Sequence, residues 1–299
     1  MEQKKYDCIV IGAGVSGMTA ALYLKRAGLD VLLLEREVPG GQINRTSEIE
    51  NYPGFLSIDG PTFAMNIYEQ VNYLHIPMVF EDVTRIVKDT EIHVITNSNE
   101  YVTDKLIIAS GRAPRKLNLE HENQYTGRGI SYCALCDGAF YKDKTVGVIG
   151  SGNSALEEAI YLARICKKVI MLNRSEKFKG STLLQERLKE CSNVEYRYNT
   201  HVTGLIGDGD RLTGIQTKCL EKEEEMVLDG IFVYIGSSPN TEFLKDTEVK
   251  LDNGFIEVDK NMCTNIKHIY ACGDCTKKEV YQLTTAVGDA AVAATTAQK

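Results

Sequence analysis

The sequence has no long apolar run. Its longest apolar stretches are short, such as Cys8–Ile11 and Val31–Leu34, whereas a membrane-spanning helix needs about 18 or more apolar residues. An apolar leader is not expected either. Met1-Glu2-Gln3-Lys4-Lys5-Tyr6-Asp7 passes directly into a strand-like run, so no secretory signal is read and a cytoplasmic protein is expected. No cluster of Lys and Arg forms a basic stripe, and the net charge is −7, which argues against nucleic acid as a partner. Regular cysteine spacing is missing as well. The nine cysteines, Cys8, Cys133, Cys136, Cys166, Cys191, Cys219, Cys263, Cys272 and Cys275, are odd in number and mostly isolated, unlike a small secreted disulfide scaffold. In a reducing compartment only a close pair invites a chemical reading.

What is present is an ordinary globular composition. The chain has 299 residues, 43% apolar and 25% charged, enough for about two domains.

The strongest organisational signal is an internal repeat. The first copy runs from Tyr6 through Gly12-Ala-Gly14-Val-Ser-Gly17, an amphipathic segment to Ala27, and a second apolar strand Val31–Glu35. The second copy runs from Thr145 through Gly150-Ser-Gly152-Asn153-Ser154-Ala155, a helix-like segment to Ile165, and the strand Val169–Asn173. Strand, Gly-rich turn, helix and strand make a βαβ unit with a dinucleotide fingerprint. Gly12 and Gly150 allow the tight turn, and Gly14 and Gly152 let the backbone approach a pyrophosphate. Gly17, or Ala155 in the second copy, lets the helix pack closely on the strand, so that free N–H groups at the helix start face the phosphate. The fold class expected is α/β, with two Rossmann-like three-layer nucleotide-binding domains.

The end of the second strand separates the two sites. Glu35, 23 positions after Gly12, is a carboxylate for ribose hydroxyls, suited to the adenosine half of FAD. In the second copy Asn173 and Arg174 stand there, with Lys177 and Lys179 following. A missing carboxylate beside a cation favours a 2′-phosphate, hence NADP over NAD; a solvated basic turn is the plainer alternative. Near the C-terminus, Ile269–Asp274 reads as a strand ending in Gly273-Asp274, followed by an Ala- and Val-rich helix over 282–294. Asp274 is placed to hold a ribityl hydroxyl, and the helix start would face the flavin.

Cys133-Ala-Leu-Cys136-Asp137 lies just before the second repeat. Two cysteines so spaced can close a disulfide on a helical turn, and a helix N-terminus lowers the first thiol's pKa. Asp137 is a candidate proton donor or acceptor for a dithiol that must be protonated and released in turn. A second CxxC, Cys272 and Cys275, raises tetrahedral zinc as the competing reading. However, 136 positions separate Cys136 from Cys272, far beyond knuckle spacing, and no metal site is expected.

These pieces, together with Gly40-Gly41-Gln42, Glu50-Asn51-Tyr-Pro-Gly54, Ile108-Ala-Ser-Gly111 and Ala271-Cys-Gly-Asp274, resemble the low-molecular-weight thioredoxin reductases over nearly the whole chain. The resemblance implies an FAD domain over 1–114 and 243–299, interrupted by a pyridine-nucleotide domain over 115–242. It implies a homodimer. Cys136 would face the flavin, Cys133 would be the interchange thiol, and Asp137 the acid/base. Gly41, Gln42, Asn51, Gly111 and Gln282 would join Gly273 and Asp274 around the flavin, while Gly150, Gly152, Asn153, Ser154 and Arg174 would hold NAD(P). Rotation of one domain against the other, hinged near Gly111–Arg115 and Gly236–Asn240, would present the flavin in turn to the dithiol and to the nicotinamide.

Two departures from the family pattern concern the electron donor. The NADPH-using members carry His-Arg-Arg and a further Arg; here the stretch is Asn173-Arg174-Ser175-Glu176-Lys177-Phe178-Lys179. An Arg-to-Lys change loses bidentate phosphate recognition. Tyr281 stands before Gln282 where the family usually shows Arg. The expected activity is reduction of thioredoxin or a thioredoxin-like protein through FAD and the Cys133–Cys136 pair, with NAD(P)H as donor and reduced ferredoxin as the alternative. A small-molecule dithiol oxidase and a flavin-bearing redox sensor remain further readings.

Overall fold

The computed structural model describes residues 5–46 and 49–299. It divides into two compact units, Met1–Ala113 with Ser238–Lys299, and Pro114–Ser237.

The first unit is built on β1 (Lys5–Ile11), α1 (Val15–Arg26), β2 (Val31–Glu35), α2 (Gly60–Tyr73), β3 (Met78–Phe80), β4 (Val83–Lys88), β5 (Ile92–Thr96) and β6 (Glu100–Ile108). Its sheet runs β3-β2-β1-β6-β5-β4, with the strand Ile269–Ala271 added on β6. β1 pairs in parallel with both β2 and β6, and β5 is antiparallel to β6. Successive residues of a strand point to opposite faces. Cys8 and Val10 of β1 therefore pack with Met18 and Leu24 of α1 and with Ala290, Ala293, Ala294 and Ala297 of the last helix. Ile9 and Ile11 pack with Ile86, Ile92 and Val94. A sheet covered on both faces reads as continuous apolar runs, which is why Cys8–Ile11 shows no alternation. The last helix spans Leu283–Ala297 rather than starting at position 282. Gln282 is its N-cap: the Gln282 side chain accepts from the backbone three residues on, and its own N–H donates to Thr285 Oγ1 at 3.1 Å.

The second unit holds a five-stranded, wholly parallel sheet in the order Val194–Arg197, Lys168–Leu172, Thr145–Gly150, Gly230–Tyr234 and Ile130–Ser131. Val146, Val148, Met171 and Phe232 face Leu156, Ala159 and Leu162 of the helix Asn153–Ala163 and Leu188 of the helix Thr182–Lys189. Their neighbours Ile149, Ile170, Leu172, Ile231 and Val233 face the other way, onto Leu212, Ile215 and Met226 of an antiparallel three-stranded sheet. Helices, parallel sheet and antiparallel sheet make three layers around a switch of side-chain direction at every residue. Each unit thus has the mixed α/β, Rossmann-like architecture expected.

The segments leading from one unit to the other are tied within each unit. In the first, Asn240 N–H donates to Gly111 O at 3.0 Å, and the Asn240 amide donates to Ser110 O at 2.9 Å. In the second, Arg115 N–H donates to Gly236 O at 2.9 Å.

Candidate active site

The Gly-rich turn after β1 is forced by close contacts. Gly12 has φ +99°, and a Cβ there would lie 2.4 Å from Ala109 O; a Cβ on Gly17 would lie 1.7 Å from Gly12 O. A Cβ on Gly14, by contrast, would meet nothing within 4 Å. Gly14 immediately precedes the first turn of α1, so the backbone there is open to close approach. That turn has no acidic residue and no side-chain cap, so its donors stay available to an anion. Glu35 is placed beside it: Oε2 accepts Ala13 N–H at 2.6 Å, and Oε1 accepts the N–H groups of Arg36 and Glu37 at 2.9 Å each. These bonds hold the carboxylate at the turn's edge. The donor-rich, open turn next to a fixed carboxylate fits the ADP half of FAD.

The remaining flavin candidates of this unit come together in two groups. Asn51 Nδ2 donates to Gln282 Oε1 at 3.0 Å. Gln42 Nε2 donates to Arg112 O at 2.7 Å, and Arg112 Nε sits 2.9 Å from Asp274 Oδ2 in an ion pair. The Arg112 guanidinium also lies over the Tyr281 ring, 4.6 Å from its centroid, a cation–π contact. Tyr281, the departure from the family's Arg, therefore serves as a platform for another arginine. Arg112 carries no signal in the sequence, since its partners are 70 and about 160 positions away and no local pattern joins them. Gly41 packs near Gly14, 3.4 Å from where its own Cβ would stand, and Gly273 leaves no room for a Cβ beside Ser16 Oγ. Gly111 lies in open space.

In the second unit Cys133 and Cys136 are joined in a disulfide, their Cα atoms 5.3 Å apart. Cys133 is the N-cap of the short helix Ala134–Asp137, and its sulfur accepts Cys136 N–H at 3.1 Å. A thiolate at that position would keep this donor. Asp137 is held from below by Ser131, which is 3% exposed. Ser131 Oγ donates to Asp137 Oδ2 at 2.6 Å and accepts Cys133 N–H at 3.0 Å. One hydroxyl thereby fixes both the acid and the first cysteine. Tyr234 OH accepts Ala134 N–H at 2.8 Å. Upstream, buried Glu122 accepts the N–H groups of Leu117 and Asn118 at 2.7 Å each and the Tyr132 hydroxyl at 2.5 Å. Cys133 is buried and Cys136 exposed. Ser131 and Glu122 are not among the residues the sequence points to, because a hydroxyl and a carboxylate acting through backbone N–H groups leave no motif.

The second Gly-rich turn repeats the logic of the first. A Cβ on Gly150 would lie 2.3 Å from Tyr234 O, while one on Gly152 would meet nothing within 4 Å. Asn153 and Ser154 are exposed at the helix start. Asn153 Oδ1 accepts Ser181 N–H at 2.8 Å, and Ser151 O accepts the N–H groups of Lys179 and Gly180. Arg174 is exposed at the end of the second strand.

Cys272 and Cys275, the other CxxC, lie in the first unit as fully buried free thiols. Cys275 Sγ donates to Cys272 O at 3.3 Å. Burial pushes the Cys275 thiol up to about 11 and Cys272 well above its ordinary value.

Two Rossmann-like units, one with an open dinucleotide turn and one carrying a closed CxxC beside a positioned aspartate, define a nucleotide-dependent disulfide oxidoreductase. The family model of the pyridine nucleotide-disulphide oxidoreductases matches residues 6–290. A thioredoxin reductase of Listeria monocytogenes is 40% identical over 301 residues, covering 100% of this chain and 94% of that one. Among solved structures, thioredoxin reductase of Lactococcus lactis is 40% identical with a TM-score of 0.94 over 98% of this chain and 97% of that one. That of T. acidophilum is 34% identical with a TM-score of 0.93 over 99% and 98%. The chain belongs to the pyridine nucleotide-disulphide oxidoreductases, in the low-molecular-weight thioredoxin reductase group, a flavoprotein family that uses FAD and NADPH.

Proposed function

We propose that the chain reduces the disulfide of thioredoxin or a thioredoxin-like protein, with electrons from NAD(P)H. The observation that carries this reading is the Cys133–Cys136 disulfide with Asp137 fixed through Ser131 in the same turn. Gly12, Gly14, Gly17 and the start of α1 would hold the FAD pyrophosphate, and Glu35 its ribose. Gln42, Asn51, Asp274 and Gln282 would hold the flavin half, with Gly41, Gly111 and Gly273 giving it room. When bound, FAD supplies two-electron transfer between the reduced nicotinamide and the dithiol. Gly150, Gly152, Asn153, Ser154 and Arg174 would bind the nucleotide.

In the reduced pair, the Cys133 thiolate attacks the substrate disulfide. A mixed disulfide forms and one substrate thiolate leaves. The Cys136 thiolate then attacks Cys133 sulfur, which closes the protein's disulfide and releases the second substrate thiolate. Asp137 moves the proton that the departing thiolate needs. Cys133 is buried in the structure while Cys136 is exposed, so attack by Cys133 on a protein disulfide requires its sulfur to become accessible first.

The test is anaerobic. The purified flavoprotein is mixed with NADPH, NADH or chemically reduced ferredoxin, flavin bleaching is followed, and oxidised thioredoxin is then added. Rapid bleaching by NADPH and reoxidation by thioredoxin are expected. Bleaching by ferredoxin alone would overturn the nucleotide assignment, and failure of thioredoxin to reoxidise the flavin would overturn the substrate.

A further inference from the structure

The nucleotide site of the second unit is short of guanidinium groups for bidentate phosphate recognition, because Ser175 and Lys179 stand where the family pattern has arginines. The structure brings others to the same place. Asn173 is 1% exposed, and its amide is used within its own turn: Oδ1 accepts Ser175 N–H at 3.0 Å and Nδ2 donates to Lys177 O at 2.9 Å. The turn closes on itself and leaves Arg174 outside, exposed. The same turn is tied to the start of the strand Thr200–Gly207, the first of the antiparallel sheet. Thr200 N–H donates to Asn173 O at 3.0 Å, and Asn199 N–H donates to Ser175 O at 3.3 Å. His201 follows directly. It is the cross-strand partner of Lys218 in the three-stranded sheet, and opposed pairs in antiparallel strands are side-chain neighbours.

Arg174, Asn199, His201, Thr203 and Lys218 line one shallow depression of this unit. Among the described residues, none of Arg174, His201 and Lys218 is in an ion pair. The nearest carboxylate by register is Glu223, opposite Lys218 on the far strand, and it too is exposed. The depression lies at the carboxyl end of the second strand of the βαβ unit, where the ribose 2′ position of a bound nucleotide is read.

We propose that His201 and Lys218, reaching in from the separate sheet, complete with Arg174 a site for a phosphate monoester on the adenosine ribose, and so select NADPH over NADH. The inference rests on the nucleotide reading given above. Asn199 and Thr203 add uncharged hydrogen-bonding groups at the rim. A dianionic phosphate held by two or three cations forms charge-assisted bonds, which are stronger than neutral ones and weaken as salt screens exposed charges.

The test uses the FAD-loaded protein and calorimetric titration with adenosine 2′,5′-bisphosphate and with adenosine 5′-monophosphate. The bisphosphate is expected to bind more tightly, with a preference that shrinks as salt rises. His201→Ala and Lys218→Ala should each weaken it roughly tenfold, with the monophosphate unchanged within about twofold, and Lys218→Arg should retain most of the preference. The same variants should raise the NADPH KM without raising the NADH KM. Unchanged visible flavin absorption and circular dichroism would exclude misfolding at these surface positions. If both nucleotides bind equally to the unaltered protein, or if the double variant keeps the preference, the cation assignment is overturned while the nucleotide site stands. If neither binds, the nucleotide reading fails and this assignment with it.

Discussion

Asn51 Nδ2 donates to Gln282 Oε1 at 3.0 Å, joining two side chains 231 positions apart. Both residues are exposed, so the bond itself adds little to folding. Its effect is to hold two amides in fixed orientation at the start of the last helix, a site that would otherwise present two mobile polar groups. In the proposed flavin site, a held amide loses less freedom on ligand binding than a mobile one.

Asn51→Ala and Gln282→Ala should therefore each lower FAD retention several-fold, and the double variant should lose little more than the worse single one, because paired residues are not additive. Gln282→Ala should also cost about 1 kcal/mol of stability through the lost helix cap, which Asn51→Ala should not. Flavin content after dialysis and thermal unfolding of each variant measure the two effects separately. Independent, additive losses of flavin would show that the bond does not organise the site.

The dithiol makes a sharper case. Cys133→Ser should stop thioredoxin reduction while flavin reduction by the electron donor continues. Asp137→Asn keeps the shape and a hydrogen bond from Ser131 but removes the ionisable group, so thioredoxin turnover should fall about 10²-fold, the scale of general acid–base catalysis. Ser131→Ala should lower turnover less, because Asp137 remains and only its anchor at 2.6 Å is lost. Stopped-flow flavin reduction and steady-state thioredoxin turnover distinguish the two half-reactions. Full turnover by Cys133→Ser would remove this cysteine from the mechanism.

The features legible in the sequence are those that sterics and short spacing impose. Gly12 and Gly17 are legible because a Cβ at either would collide with backbone, and the CxxC is legible because three residues suffice to close it. The parallel strands are legible because both faces are covered and the apolar runs are unbroken. Arg112 on Tyr281, Ser131 between Cys133 and Asp137, and His201 opposite Lys218 are not. The first joins chain segments far apart in sequence and the last depends on sheet register, and neither leaves a periodicity. Ser131 is close in sequence, but a serine six residues before an aspartate is too common a pattern to signify anything without geometry. In the sequence Asn173 is only a missing carboxylate, whereas in the fold its amide closes the turn that exposes Arg174.

Thiol chemistry should separate the cysteines by burial. Cys8, Cys272 and Cys275 are fully buried, and burial pushes Cys8 up to about 12 and Cys275 up to about 11. At pH 8 these should react with an aromatic disulfide reagent only on unfolding, while exposed Cys219 should react at once. Reduction of the Cys133–Cys136 bond should add further reactive thiol, led by exposed Cys136. Mass spectrometry of the labelled peptides identifies the order. Rapid labelling of Cys272 in the folded protein would show that its surroundings open readily.

Glu158 provides the last prediction. It lies on the helix Asn153–Ala163, 6% exposed, and its Oε2 has no hydrogen-bond partner among the described residues. Burial, with a smaller push from the neighbouring Glu157 charge, raises its pKa from 4.5 to about 8. In the unfolded chain the carboxyl ionises near its ordinary value; in the folded protein it stays protonated up to about pH 8. Between those two values the folded state binds the extra proton, so stability falls as pH rises through this window and levels off above it. A tenfold difference in proton affinity between the two states corresponds to about 1.4 kcal/mol. Glu158→Gln removes the ionisable proton at nearly constant shape. The variant should match the unaltered protein near pH 5 and be more stable than it at pH 8, with the difference growing across the window. Thermal unfolding from pH 5 to 9 measures this directly. A pH-independent difference between the two proteins would mean that the Glu158 carboxyl gains a partner and ionises in the fold.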